Sequence, residues 1–171
     1  MRHITLLAVV LMNLNVAAQF DKFFHNKTLR MDYYHSGNHD NESYYFDELI
    51  EEPYWGGSKV NLVDTFEYGN YYVKVYNNSN DSLLYSRGYS SLFGEWQTTD
   101  EANITKRAFS EAVVFPYPKQ TVDVVLFSRN HDEIFEEKFR YTVNPENYFI
   151  KKDRRLMYPS FAVHVSGDPA K

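Results

Sequence analysis

Thr28-Leu29-Arg30-Met31-Asp32-Tyr33-Tyr34-His35 decides the fold class, because Leu29, Met31 and Tyr33 alternate with Arg30, Asp32 and Tyr34. A period of two belongs to a strand with one buried and one wet face. Ser36-Gly37-Asn38 follows as a turn. Working outward, Tyr71–Tyr76 and Leu83–Arg87 flank Asn77-Asn78-Ser79-Asn80-Asp81, residues that form local side-chain turns, so a β-hairpin is expected. Val122–Phe127 and Phe135–Val143 make a second hairpin around Arg129-Asn130-His131-Asp132. Ala108–Phe115 is expected to leave its sheet at Pro116-Tyr117-Pro118, where two prolines remove two ladder donors. Phe161–Val165 is expected as the last strand, Ser43–Glu52 fits strand or helix, and Leu92–Ala102 reads as an irregular loop or single turn. Short strands at this spacing imply an all-β chain forming a two-sheet antiparallel β-sandwich, immunoglobulin-like or jelly-roll-like.

The N-terminus reads as a signal peptide that is removed. Arg2 and His3 precede the apolar run Ile4–Met12, and Val16-Ala17-Ala18 supplies small residues for cleavage between Ala18 and Gln19. The run falls short of the ~20 apolar residues of a bilayer span, so no membrane insertion is expected. Three segments result: the signal peptide 1–18, a sandwich domain 19–165, and 166–171. The last, Ser166-Gly167-Asp168-Pro169-Ala170-Lys171, is a polar Gly/Pro stretch that reads as the start of a linker. A secreted or periplasmic location follows. The formal charge of −5 argues against nucleic acid as partner. With no cysteine, disulfides, thiol catalysis and zinc-thiolate sites are excluded.

No residue is assigned a catalytic or metal-binding role. H-E-x-x-H, which aims two imidazoles at one zinc from a helix face, does not occur. His35 and His39 have that spacing near Asp40 and Glu42, but Gly37 and Asn38 place them in an expected solvated turn. The paired carboxylates Glu51-Glu52 and Glu136-Glu137 are strand neighbours, which point to opposite faces and do not converge on one substrate. Tyr54-Trp55-Gly56-Gly57 and Phe93-Gly94-Glu95-Trp96 offer either core packing or an exposed stacking platform for a sugar or protein.

Arg87-Gly88-Tyr89-Ser90-Ser91-Leu92-Phe93-Gly94-Glu95-Trp96-Gln97-Thr98-Thr99-Asp100-Glu101-Ala102 is a string that no fold physics requires. It resembles the signature of the N-terminal, non-catalytic domain of the bacterial IgA-peptidase family of zinc metallopeptidases. Leu29–Gly37, Trp55–Ser58 and Phe115–Lys119 are similar to that domain too. The resemblance implies a sandwich preceding a separate peptidase domain that carries the zinc site, so zinc is expected there and no cofactor in this chain. It implies a C-terminal zinc peptidase domain as partner, with a protein or glycoprotein substrate. Arg87, Phe93, Glu95, Trp96 and Trp55 are then the expected contacts, Phe93 and Trp96 as anchors and Arg87 with Glu95 as paired charges. The alternative is an independent glycan- or glycoprotein-binding module with Trp55 and Trp96 as its platform.

Overall fold

The computed structural model of the chain describes residues 19–153 and 166–167. The expected signal peptide with Ala18, the expected strand Phe161–Val165 and residues 168–171 of the expected linker lie outside them. Gln19 is exposed.

The alternation in the opening stretch forms β1 (Phe24–Gly37), longer at both ends than its polar flanks suggest. It turns through Asn38–Asn41 into β2 (Glu42–Glu52), so the ambiguous segment is a strand. β3 (Tyr71–Asn77) and β4 (Leu83–Tyr89) form the first expected hairpin, and β6 (Val122–Arg129) and β7 (Phe135–Val143) the second. Between them lie a short helix α1 (Leu92–Gln97), a 3-10 turn (Asp100–Asn103) and β5 (Arg107–Pro118). A two-residue β8 (Lys151–Lys152) follows. The sheets run β5-β1-β2-β8 and β4-β3-β6-β7, a two-sheet sandwich that is antiparallel except for β8 against β2.

Two sequence expectations are corrected here. Pro116 does not end β5, which runs on to Pro118, the two prolines pairing with Thr28 and Phe24. β5 is an edge strand, so a missing N–H on its outer side costs no ladder bond. Leu92–Gln97 is a helix because Ser91 caps it, its hydroxyl accepting from Gly94 N–H at 3.1 Å.

The core is the set of inward parities. Leu29, Met31 and Tyr33 of β1 meet Val73 and Val75 of β3, Val113 and Phe115 of β5, and Val124 and Leu126 of β6. A bulge opposite Asp32/Tyr33 flips the parity of β2, so Tyr44 and Phe46 face in on one side of it and Leu49 on the other. Along β2 and β7 aromatic pairs close the sandwich, with Phe46 stacked on Tyr141 at 4.0 Å and Tyr44 on Phe139 at 6.4 Å. On the opposite side β4 and β5 face each other across a cleft.

Candidate functional site

The cleft between β4 and β5 has a volume of about 700 Å3 and gathers residues from two of the stretches that resemble the peptidase-associated domain, Trp55–Ser58 and Arg87–Ala102. One wall is Tyr85, Arg87 and Tyr89, alternate residues on one face of β4. The other is Ala112–Val114 of β5. Trp55 closes one end. Its loop is tied to β1 where the Thr28 hydroxyl donates to Tyr54 C=O at 2.6 Å. The indole N–H donates to Ser58 C=O at 3.1 Å, and its ring meets Tyr85 edge-on at 5.8 Å. A Cβ on Gly57 would collide with that ring, so only glycine permits the seat.

Trp55 is half-buried, Tyr54 is 72% exposed and Arg87 is exposed. Among the described residues Arg87 has no salt bridge. Its charge helps hold the Asp64 carboxyl low, against burial and alongside the backbone N–H groups of Phe66 and Gly88. Burial raises the Tyr85 hydroxyl to about 12, so it remains a neutral donor.

Beneath the cleft lies a charged cluster that joins both sheets. His35 is fully buried, with Nε2 3.1 Å from Glu42 and Nδ1 3.0 Å from Glu111. Carboxylates accept only, so both ring nitrogens must donate and the ring is an imidazolium. Burial pushes the His35 pKa down, but hydrogen bonds and charge from Glu111 and Glu42 outweigh it, and the pKa lies above its ordinary value. Glu42 and Glu111 are likewise pushed up by burial, yet are held below the usual range by His35 and by other donors. For Glu42 these are Ser128, across the sandwich, and Tyr44; for Glu111 they are Phe93 N–H at 2.9 Å and Tyr33 at 3.1 Å. The Tyr33 hydroxyl, having donated to Glu111, accepts from Tyr89 at 3.1 Å, which links cluster to cleft.

Register explains the assembly. His35 pairs with Tyr44 and Phe109, so Glu42 and Glu111 stand on the diagonals two residues away.

The expectation of His35 in a solvated turn is therefore corrected. The strand continues to Gly37, and His35 shares the inward parity of Leu29, Met31 and Tyr33, a signal already present in the sequence. His39 is exposed and donates to Gln97 C=O at 3.1 Å, so the two imidazoles do not converge. Among the described residues no group of three or more His, Asp or Glu is placed to hold a metal. His131, Asp132 and Glu133 form an exposed polar hairpin tip.

Phe93 and Trp96 are also corrected as surface anchors. Three apart on α1, they share a helix face, and they are 0% and 7% exposed, packed with Ala102 and Phe109. Phe93 lies 3.9 Å from the His35 ring, and Trp96 donates to Glu101 at 3.0 Å. Glu95 is exposed, and among the described residues it forms no salt bridge with Arg87. The structure thus brings together Trp55 and Arg87, and leaves Phe93 and Trp96 inside and Glu95 apart.

No helix among the described residues is long and apolar enough to cross a membrane. A family model described as the peptidase M64 N-terminus matches residues 19–140. No curated protein matches the chain.

Proposed function

The chain belongs to the peptidase M64 N-terminus family, and on that premise we propose that it is the non-catalytic accessory domain of a secreted zinc metallopeptidase. It packs on the peptidase domain and helps to position the substrate. The observation that carries this reading is the family match, which covers the strands building both the cleft and the cluster beneath it, as far as Arg140 of β7. Two structural features support it. The charged cluster ties β1, β2, β5 and β6 to α1, which stiffens the base of the cleft. The cleft presents an exposed Arg and a half-buried Trp, the residue types that dominate protein recognition.

A second reading is an independent glycan- or glycoprotein-binding module. It is favoured by Trp55 and the exposed Tyr54 at the mouth of the cleft, and weakened by the burial of Trp96.

Calorimetric titration of this chain with a separately produced peptidase domain of the same family separates the readings. Saturable one-to-one binding supports the accessory role. Absence of binding, together with affinity for soluble oligosaccharides, would overturn it in favour of the module.

A further inference from the structure

The two walls of the cleft are unlike. β4 contributes alternate residues, but β5 contributes three consecutive ones, Ala112, Val113 and Val114. Successive side chains leave a strand by opposite faces, so three in a row can line a cleft only where the strand meets it with its backbone edge. Among the described residues β5 ends its sheet and pairs with β1 alone. Every second residue therefore turns its N–H and C=O away from β1. Among the described residues, none of these groups from Glu111 to Phe115 bonds to another backbone segment.

The facing edge of β4 is sealed. Ser86 donates to Leu62 C=O at 2.9 Å and accepts from Asp64 N–H at 3.3 Å, and Gly88 N–H donates to the Asp64 carboxylate at 3.1 Å. A Cβ on Gly88 would collide with the Tyr68 carbonyl. One edge is closed by the protein's own loop, and the other has no strand partner among the described residues beside an apolar cleft.

We propose that this cleft binds an extended peptide segment of the protein substrate, which adds to β5 as a further strand and directs an acidic side chain to Arg87. Main-chain pairing supplies affinity, and alternate side chains enter the cleft, where Trp55 and Tyr85 offer apolar contact and Arg87 a charge. The open stretch is bounded at one end by Pro116, which has no donor to give, and at the other by α1, whose Phe93 N–H holds Glu111. A sugar ring stacked on Trp55 would leave the β5 backbone groups unused. An acidic side chain fits because Arg87 forms no salt bridge among the described residues, the Asp64 carboxylate that feels its charge being held by the Phe66 and Gly88 N–H groups, while Glu52 at the cleft is already engaged by Arg30 at 3.3 Å. The inference rests on the accessory-domain reading for the source of the segment, and on the cleft alone for its binding.

The test uses the whole chain and a short acetylated peptide of alternating valine and threonine with one central glutamate. Binding is followed by Trp fluorescence and amide chemical shifts. The expected result is saturable binding with shifts at Ala112–Val114. Affinity falls about tenfold or more in Arg87→Glu and recovers when the peptide carries lysine instead of glutamate. Methylation of alternate peptide backbone nitrogens abolishes binding on the face that pairs, because it removes the donors a strand must supply. Arg87 is exposed, so the variant's unchanged thermal midpoint certifies its fold. Equal binding of both methylated forms, or indifference to Arg87→Glu, overturns the proposal. Such a failure leaves association with a peptidase domain standing, and failure of that association leaves a positive peptide result standing.

Discussion

Replacing His35 with glutamine should remove the cation that lets two carboxylates coexist between the sheets. The side chain is fully buried and donates to Glu111 and Glu42 at 3.0 and 3.1 Å, and those carboxylates are only 7% and 14% exposed. Glutamine can donate to one and must face the other with its carbonyl. Removing one member of a buried, hydrogen-bonded charge group costs about 3–5 kcal/mol. Lys138, 3.6 Å from Glu42, tempers the loss toward about 3 kcal/mol. For a domain of this size that lowers the thermal midpoint by about 10 °C.

The pH profile carries the sign. The raised His35 pKa means that its contribution is fully present below the ordinary value of about 6.5 and is lost as pH rises through the folded-state value. The lowered Glu42 and Glu111 values mean that theirs is present above about 4.5 and is lost as pH falls through the folded-state values. Thermal melts by circular dichroism should therefore give the wild type maximal stability between about pH 4.5 and 6.5, with decline on both sides. His35→Gln should be less stable throughout this window and lack the alkaline limb. A variant within about 1 kcal/mol of wild type, or one that keeps the alkaline limb, would refute the imidazolium assignment.

Other substitutions separate interior from surface. Phe93→Ala should cost about 3–5 kcal/mol in urea melts, because the fully buried ring packs against His35, Trp96 and Phe109. Glu95→Ala on the same helix should stay within about 0.5 kcal/mol, and a comparable loss at both would contradict the burial pattern.

The parity of Leu29, Met31 and Tyr33 and the two hairpins could be read from the sequence because one face of each strand is apolar and the turns between them are polar. His35 was lost for a physical reason: Gly37 and Asn38 next to it have turn propensity, while the strand is extended by pairing with β2, a tertiary effect. Glu111 hides similarly, a lone acid at the inward parity of Phe109, Val113 and Phe115. Pro116 would mark a strand end only where both edges are paired, and which strand lies at the edge is set by sheet order, which local sequence does not encode. The Phe93 and Trp96 spacing was a helix-face signal, obscured by Gly94 between them. Trp55 and Arg87 stand out in the sequence as residues, but the cleft uniting them depends on the packing of two sheets.

In the proposed role the domain supplies recognition to a neighbouring peptidase. The most direct measurement is kcat/KM of a family peptidase domain, with and without this chain joined to it, on a protein substrate and on a short chromogenic peptide. Joined, the protein substrate should be turned over about tenfold more efficiently, with the short peptide unchanged, because binding remote from the scissile bond acts only on substrates long enough to reach it. Equal kcat/KM values in both forms, or peptidase activity in this chain alone, would contradict the account.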